Sequence, residues 1–543
     1  MTDLSQAQPL TGPVSVRPRT PHEEAVAAIW RDVLGRSEIG VLDDFFDLDG
    51  TSLQAMHVVT RIRDTWGVDI RARDFFESPT VATLAAAVAA RAPSGRPAIS
   101  PRSPDSEPVL SFDQQRLWLE YQLRPGAAYN VHGRRRLVGP LDVAALEKSV
   151  RAIMARHESL RTRFPTVDGR PVQVVDAPDG NWRIDFEDLA SVGDDRTDAA
   201  RRLADEQAAA PFDLVRGPLF RCLLIRLADT EHVLSITAHH IVCDNWSIGL
   251  FVQEFAALYE VGGDVERAGL PALPIQYRDY AAWQRQWLAG EALDEQVGYW
   301  RRHLAGAPAT LALPMTGRRA RSTGGHGGRI RSALSKEDTL ALGDLCRTYG
   351  VTTFMAILAS LATVLSRWSG QSDVVIGVPI AGRTDPGTEK LIGFFVNTLP
   401  LRVNLSGDPT FADLIGRVRQ AALGGYAHAA APLDLLVKEL EVTRDLSRTP
   451  LFQVVLNAID SPAVDQISRV TAEAMDTPVP PSKFDLALSI RESHGALQLE
   501  LDYYAGRYQA AMMQILVEQV GTLLRAAVED PTQGILDYPL QAT

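Results

Sequence analysis

A chain of 543 residues is too long for one hydrophobic core, and its length predicts about two to four domains. Hydrophobic residues make up 45% of the chain and charged residues 22%, which is the composition of a soluble globular protein. The net charge of −12, with no basic stripe to offset it, argues against a nucleic-acid-binding protein.

The cysteine content and the hydropathy pattern indicate where such a chain works. Its three cysteines, Cys222, Cys243 and Cys346, show neither metal-ligand spacing nor a pairing pattern, which fits a reduced cytoplasm. No apolar run is long enough to span a membrane, and residues 1–20 are polar and contain proline, unlike a signal peptide. We therefore expect a cytoplasmic protein with no membrane partner.

The first ninety residues read as a small all-helical domain. Helices are predicted at roughly 21–34, 53–65, 72–76 and 80–91. The apolar positions of the second helix recur with helical spacing directly after Gly50-Thr51-Ser52. Ser52 is therefore expected at or just before a helix N-terminus, where free N–H groups favour a phosphate-like group. Taken alone, such a serine is more simply interpreted as an N-cap, worth about 1 kcal/mol.

The surrounding motifs favour a special role for this serine. They are, in chain order, Pro21-His22-Glu23-Glu24, Ile29-Trp30-Arg31-Asp32-Val33-Leu34, Phe45-Phe46-Asp47-Leu48, Phe75-Phe76 and Pro79-Thr80-Val81-Ala82-Thr83-Leu84. With them, residues 18–91 resemble a peptidyl carrier domain of the non-ribosomal peptide synthetases. The resemblance implies a 4′-phosphopantetheine group esterified to Ser52 by a separate phosphopantetheinyl transferase. One departure is the run Asp49-Gly50-Thr51-Ser52, where the family usually has Gly-Gly-His-Ser or Gly-Gly-Asp-Ser.

A proline-rich segment at 92–108 interrupts every periodicity and is predicted to be a linker. Helical and strand patterns alternate after it, without an internal repeat. Helices are expected at about 141–155, 247–260, 339–349, 353–368, 411–440 and 508–527, and strands at 233–238, 373–378 and 484–490. A segment of this length exceeds one core, so two lobes with a cleft between them are expected.

The run His239-His240-Ile241-Val242-Cys243-Asp244-Asn245-Trp246-Ser247 is the second chemical signal. A predicted strand delivers the histidines to its end and a helix follows, an arrangement that often positions catalytic groups. If both histidines continue the extended backbone, they point to opposite sides, so only one faces a given pocket. A structural or surface role is the simpler reading of an isolated pair. No metal site is expected, because further ligands close in sequence are missing.

Other motifs again decide the interpretation. In order, they are Ser111-Phe112-Asp113-Gln114-Gln115-Arg116-Leu117-Trp118, Arg156-His157-Glu158-Ser159-Leu160-Arg161-Thr162, Tyr277-Arg278-Asp279-Tyr280-Ala281-Ala282-Trp283, Ile376-Gly377-Val378-Pro379-Ile380-Ala381-Gly382-Arg383, Gly393-Phe394-Phe395-Val396-Asn397-Thr398-Leu399-Pro400-Leu401-Arg402 and Arg444-Asp445-Leu446-Ser447-Arg448-Thr449-Pro450-Leu451-Phe452-Gln453. With the histidine pair, they make residues 109–540 resemble a condensation domain of the same synthetases, whose signature is His-His-x-x-x-Asp-Gly. The resemblance implies two α/β lobes of the chloramphenicol-acetyltransferase type, at 109–275 and 276–543, arranged in a V with the active site in a tunnel.

The same resemblance assigns roles to individual residues. His240, the second histidine, is expected to face the tunnel and contact the acceptor amine, whereas His239 is expected to pack into its lobe. Asp244 is expected to be structural and to pair with Arg383, since a buried carboxylate needs a cation or several donors.

Two further residues, Ser247 and Asn397, are expected near the junction of the lobes. Asn245 stands where the family has glycine. Asparagine is tolerated there if positive φ is the requirement, whereas a bulkier residue narrows the tunnel if small size is the requirement. Asp113, where the family has alanine, and Ala429-Ala430-Ala431, where Gln-Asp-x is usual, are further departures.

The implied reaction is amide formation: an amine on an acceptor carrier attacks a thioester on the donor carrier. Domain order makes the attached carrier the donor, with an L or achiral terminal residue, and places an adenylation domain upstream and adenylation and carrier domains downstream. A dual condensation and epimerisation domain and a catalytically silent recruitment domain are the alternatives, as is a binding scaffold in which both motifs are vestigial.

Overall fold

The computed structural model describes residues 16–92, 95–103, 106–315, 327–383, 385–442, 449–459, 466–477, 479, 483–493 and 495–540. Outside these ranges lie most of the polar N-terminal segment, part of the predicted linker and part of the motif at 444–453. The chain divides into two compact units, residues 1–95 with 346–353, and residues 96–345 with 354–543.

The first unit contains the four predicted helices. They are α1 (Pro21–Leu34), α2 (Ser52–Trp66), α3 (Ala72–Glu77) and α4 (Val81–Ala89). Local sequence explains their ends: Thr20 caps α1 with its side chain, and Gly35 ends α1 in the left-handed conformation. Capping boxes begin α2 and α4. The core is aromatic, with Trp30, Phe45 and Phe75 buried in mutual contact.

The backbone conformation and packing of the loop before α2 explain two of its residues. Asp49 adopts a φ of 64°, the left-handed region that glycine favours and aspartate tolerates. This accounts for aspartate at a position where the carrier family usually has glycine. Gly50 cannot be replaced in the same way, since a Cβ there would lie 2.3 Å from the ring of Phe45.

The second unit begins with the elements of a first lobe. These are α5 (Phe112–Leu123), β1 (Asn130–Val138), α6 (Val143–Arg156), β2 (Thr162–Arg163), β3 (Thr166–Val167), β4 (Arg170–Pro171), β5 (Val174–Val175), β6 (Asp185–Asp188), α7 (Arg196–Ala209), β7 (Phe220–Ala228), β8 (Glu231–His239), α8 (Asn245–Glu260), α9 (Tyr277–Trp287) and α10 (Glu291–His303). Strands β1, β8 and β7 form the antiparallel centre of a sheet, with β6 parallel to β7 at one edge. The strand predicted at 233–238 is β8, one of these central strands.

The elements of the second lobe follow. They are β9 (Gly327–Ala333), α11 (Lys336–Tyr349), α12 (Thr353–Ser369), β10 (Asp373–Ile380), α13 (Pro386–Glu389), β11 (Asn397–Asn404), α14 (Phe411–Ala427), α15 (Leu433–Glu439), β12 (Val454–Ala458), β13 (Gln466–Ile467), β14 (Val470–Ala474), β15 (Leu486–Ser493), β16 (Ala496–Tyr504) and α16 (Ala510–Glu529). The sheet of this lobe has the order β11-β10-β12-β15-β16-β9 and is mixed, because β12 runs parallel to both β10 and β15.

Two observations refine the predicted lobes. The hairpin of β13 and β14 joins the sheet of the first lobe, where β14 pairs with β1, so the second half of the chain contributes to both sheets. The helix predicted over 411–440 is two helices, because α14 ends at Ala427 and α15 begins directly after Pro432. Proline cannot continue a helix that precedes it, so this break was readable from the sequence.

Helix α16 is long and apolar enough to cross a membrane by length and composition. One of its faces, including Leu516, Val520 and Leu524, is fully buried, and the helix packs against β9 and β16. A packed helix of this kind is a core element of its lobe, which is why apolar composition alone does not identify a membrane span.

Candidate functional site

The histidine pair lies where β8 ends. His239 is the last residue of the strand, and His240 begins a short 3-10 turn that leads to Asp244, the N-cap of α8. The extended backbone therefore stops at His239, and it is the turn, not strand alternation, that gives the two side chains different surroundings.

His239 is buried and structurally engaged. Its Nδ1 accepts a hydrogen bond from the backbone N–H of Ile241 at 3.1 Å. Burial, aided by the charge of Lys483, lowers the pKa of His239 to about 3, so the imidazole is neutral at all physiological pH values. This matches the expectation that the first histidine packs into its lobe.

His240 is only partly buried, and its surroundings keep it neutral. Its backbone N–H donates to the carbonyl oxygen of Tyr129 at 2.7 Å, and its ring meets the ring of Phe394 edge-on, with 4.9 Å between centroids. The Nδ1 atom is buried, with no hydrogen-bond partner among the described residues. Burial holds the pKa of His240 well below its usual value, and the positive charges of Lys483 and Arg116 add to the effect. A neutral imidazole can accept a proton.

Asp244 and Arg383 form the predicted ion pair, fully enclosed between the lobes. The guanidinium donates from NH1 to Oδ2 of Asp244 at 2.8 Å and from NH2 to Oδ1 at 3.1 Å. Ser247 completes the cluster: its Oγ accepts from Arg383 at 2.9 Å, and its N–H donates to Asp244 at 2.8 Å. Charged groups at this depth are stable only when every partner is present, so the cluster fixes the start of α8 against the second lobe.

The same cluster holds the segment Leu391 to Phe395, the 391–395 loop. Arg383 donates to the carbonyl of Leu391 at 3.1 Å, the N–H of Gly393 donates to Oγ of Ser247 at 3.0 Å, and the N–H of Phe395 donates to Asp244 at 3.0 Å. Gly393 has no room for a side chain, since a Cβ would lie 2.1 Å from the ring of Tyr277. This loop carries Phe394, the residue that packs on His240.

A second set of side chains, from the motif at 156–162, grips the loop at Ile392. Ser159 Oγ donates to the carbonyl of Ile392 at 2.7 Å, and Nδ1 of His157 accepts from its N–H at 3.3 Å. His157 therefore carries its proton on Nε2, which donates to Glu254 at 2.9 Å. Sequence reasoning used this motif only to identify the family and assigned it no role. The partners are far apart in the chain, and no local signal connects them.

Asn245 stands where the family has glycine. It is the first residue of α8 and is exposed, and it is not among the described residues with positive φ. Glycine's conformational freedom is therefore not required here, and the exposed position leaves room for the asparagine side chain. Ser247, in contrast, is fully buried in the junction between the lobes, where it was expected.

Asn397 also lies at this junction, where it organises backbone. Its amide donates to the carbonyls of Ala429 and Ala431 at 2.9 and 2.8 Å. It lines a small pocket together with Asp113, Ala429 and Ala430, so the departures from the family pattern at these positions face one space. Burial raises the pKa of the Asp113 carboxyl to about 7.

Two cationic side chains near His240 were not predicted. Lys483, just before β15, places its Nζ 4.8 Å from the ring centre of Tyr129. Arg116, on α5, lies 3.4 Å from Asp434 on α15 and 6.0 Å from the ring centre of Phe394. The site is therefore built from both lobes, with a neutral imidazole among cationic and aromatic groups.

Ser52, in the first unit, is the first residue of α2. The N-cap role is taken by Thr51, whose Oγ1 accepts from the N–H of Gln54 at 3.2 Å, so Ser52 is not needed as a cap. Its hydroxyl donates to Oγ1 of Thr352 at 2.8 Å. The first turn of α2 has no acidic residue, and its free N–H groups and dipole suit a phosphodiester. The residues present therefore fit a phosphopantetheine group on Ser52.

Comparison with known proteins identifies the class. The phosphopantetheine attachment site family matches residues 24–88, and the condensation domain family matches residues 106–542. The chain belongs to the condensation-domain family, a class of peptide-bond-forming acyltransferases of the non-ribosomal peptide synthetases, here preceded by a carrier domain that has the attachment site. The two resemblances drawn from the sequence are thereby confirmed.

Three similar proteins show how far the likeness extends. A linear gramicidin synthase polypeptide of Brevibacillus parabrevis is 43% identical over 97% of this chain, which spans 10% of that protein's length. The X-domain in its complex with OxyB from teicoplanin biosynthesis is 28% identical, with a TM-score of 0.72, over 83% of this chain and 99% of that one. The first condensation domain of the calcium-dependent antibiotic synthetase, bound to a substrate analogue, shares the fold at 23% identity and a TM-score of 0.66, over 80% of this chain and all of that one.

Proposed function

We propose that this chain forms an amide bond between two thioester-bound substrates in non-ribosomal peptide synthesis. The observation that carries the proposal is His240, a partly buried imidazole that is kept neutral and is held by elements of both lobes. The phosphopantetheine group supplies a thiol to which an acyl group is attached as a thioester. The donor is attached to Ser52, and its terminal residue is L or achiral, since no epimerising domain lies between the two units. The acceptor carrier and its adenylation domain follow downstream.

The residues of the site act mainly by orientation. An α-amine titrates near pH ~8, so a useful fraction is already neutral, and a general base adds about 10²–10⁴-fold. Holding the two reactants in line supplies effective molarities of about 10⁵ M or more. We therefore assign to His240 the positioning of the acceptor amine and the removal of its proton. His239, Asp244, Ser247 and Arg383 support that position and do not touch the reactants.

The test is condensation by the full chain after modification with a transferase and coenzyme A. Mass spectrometry should show the phosphopantetheine gain on Ser52, and none in Ser52→Ala. His240→Ala should then slow a single turnover by about 10²–10⁴-fold. His303→Ala is the control, because His303, the last residue of α10, contacts Tyr299 on the same helix and Arg402 on β11 and lies outside the site.

Each alternative has its own outcome. Loss of less than about tenfold in His240→Ala contradicts a central role for the imidazole, being below the usual range for such a group. A gain on Ser52 with no transfer by the wild-type chain, across a panel of acceptors, supports a recruitment domain or scaffold. Inversion of the donor's terminal residue before transfer supports a dual condensation and epimerisation domain.

A further inference from the structure

Lys483 is brought to the reacting histidine by a distant part of the chain. It belongs to the second lobe, yet its Nζ lies 4.8 Å from the ring centre of Tyr129 in the first lobe. The carbonyl of Tyr129 accepts the backbone hydrogen bond of His240 at 2.7 Å. Lys483 is also close enough to act electrostatically on both His239 and His240.

The charge of Lys483 has no counterion among the residues that the structure describes. Asp485, two residues further on, is paired with Arg507, and Asp434 is paired with Arg116. Burial lowers the pKa of Lys483 to about 7, and repulsion from Arg116 adds to it. A partly buried ammonium group with no counterion among the described residues favours an incoming negative or strongly polar oxygen.

Amide formation produces such an oxygen. When the amine nitrogen bonds to the carbonyl carbon, the carbonyl π electrons move onto the oxygen. Collapse of the tetrahedral adduct re-forms the C=O bond and breaks the C–S bond, and the proton that His240 takes from the amine passes to the leaving sulfur. Neutral His240 gives the oxygen no positive charge, whereas a fixed donor aimed at it is commonly the largest single contribution to catalysis.

We propose that Lys483 is a further catalytic residue, whose ammonium group donates a hydrogen bond to the carbonyl oxygen of the thioester under attack. This rests on the proposed function, and it deepens that function by dividing the chemistry: His240 handles the amine and its proton, and Lys483 stabilises the oxyanion. The aromatic face of Tyr129 holds the ammonium without neutralising it, as a cation–π contact does.

The experiment uses the full chain with two soluble probes: N-acetylalanyl N-acetylcysteamine thioester as a donor that cannot act as an acceptor, and glycyl N-acetylcysteamine thioester as the acceptor. Lys483→Met keeps the length of the side chain and removes its charge. It should lower kcat by about 10²–10³-fold, the cost of removing one oxyanion donor, with little change in KM for either probe. Lys438→Met is the control, because Lys438 has a side chain that is 74% exposed. It should match the wild type.

The pH dependence of the rate, which follows the charge of Lys483, provides a second measurement. Lys483 loses its proton as the pH rises through about 7, whereas arginine at this position stays charged. The ratio of wild-type to Lys483→Arg rates should therefore fall between pH 6 and 9, and the ionisation of the amine cancels in that ratio. A ratio that does not change with pH overturns the proposal, even if Lys483→Met fails to fold.

A third measurement needs no turnover. The groups that act on His240 are Lys483, His239 and Arg116, and Arg116 is offset by Asp434. Removing the charge of Lys483 should raise the pKa of His240. That pKa is measured by NMR of protein with histidine labelled at Cε1, and the His240 signal is assigned with His240→Ala. An unchanged pKa contradicts the placement of Lys483 beside the imidazole.

The kinetic outcomes separate this inference from the proposed function. If His240→Ala is strongly impaired but Lys483→Met keeps its kcat within about threefold, the role of Lys483 is wrong and the function stands. A raised KM with unchanged kcat also overturns it, since the lysine then stabilises the ground state and the transition state equally. If neither variant is impaired while the wild type turns over, the roles of both residues are wrong; only the absence of transfer by the wild-type chain contradicts the proposed function itself.

Discussion

Ser159 offers a small perturbation with a calculable cost. Its Oγ is the one described hydrogen-bond donor to the carbonyl of Ile392, at 2.7 Å, and both residues are buried. Ser159→Ala removes one oxygen atom and leaves that carbonyl without a partner. The free energy of unfolding should fall by about 1–3 kcal/mol, the cost of a buried unsatisfied polar group.

The catalytic consequence should exceed the structural one. Ile392 is two residues before Phe394, whose ring packs on His240 with 4.9 Å between ring centroids. A displacement of the 391–395 loop therefore changes the position of the imidazole directly. A misplacement of about 1 Å at a reacting group can cost about 100-fold in rate. We expect Ser159→Ala to lower kcat by about tenfold to 100-fold, with KM changed less, because the imidazole and the loop that aims it act on the chemical step.

Ser149→Ala is the matched control. Ser149 is equally buried, and its Oγ donates to the carbonyl of Ala145 at 2.7 Å within α6, away from the loop. That carbonyl keeps its helical N–H partner, so the loss of stability should be nearer 0.5–1.5 kcal/mol, about the worth of one net hydrogen bond. Both variants are assayed by thermal unfolding and by single-turnover condensation. If Ser159→Ala loses stability but keeps its rate within about twofold of the wild type, the loop does not position His240.

Two further predictions concern buried charges. Arg383→Met leaves the buried carboxylate of Asp244 without its cation and should lower the free energy of unfolding by about 3–5 kcal/mol. Adding Asp244→Asn should recover part of the lost melting temperature. A double variant no more stable than Arg383→Met contradicts the pairing argument. Asp113 has its pKa raised to about 7 by burial, so the native state holds a proton that the unfolded chain, with a pKa of about 3.9, releases between pH 4 and 7. Stability is thereby lost as the pH rises through that window. Asp113→Asn should therefore melt higher than the wild type at pH 8 but not at pH 4, and a difference independent of pH refutes the assignment.

What the sequence could predict was local. The carrier helices were found with their bounds nearly right because capping residues and apolar spacing lie within each segment. The histidines were placed at a strand end because β8 has the pattern of a buried strand. The pairing of Asp244 with Arg383 was implied by the family resemblance and supported by the rule that a buried carboxylate needs a cation or several donors.

What it could not predict depends on residues far apart in the chain. Except for Arg383, the side chains described above that hold the 391–395 loop lie 146 to 235 residues before their partners in it. The hairpin β13–β14 shows no local sign that it joins the first sheet. The sequence pattern around Lys483 predicts only the strand that follows it. The contact of Lys483 with Tyr129 forms only when the chain folds.

The arrangement separates what positions His240 from what sets its charge. The ion pair of Asp244 and Arg383 is neutral as a unit, and neither residue is among the groups that shift the pKa of His240. Lys483, His239 and Arg116 are those groups, and none of them takes part in the hydrogen bonds that hold the 391–395 loop. Changes at the ion pair should therefore alter stability and the rate at every pH alike, whereas changes at Lys483 should alter the pH dependence. A cation that has no counterion among the described residues, next to a base that must start neutral, disfavours protonation of the imidazole before the amine arrives.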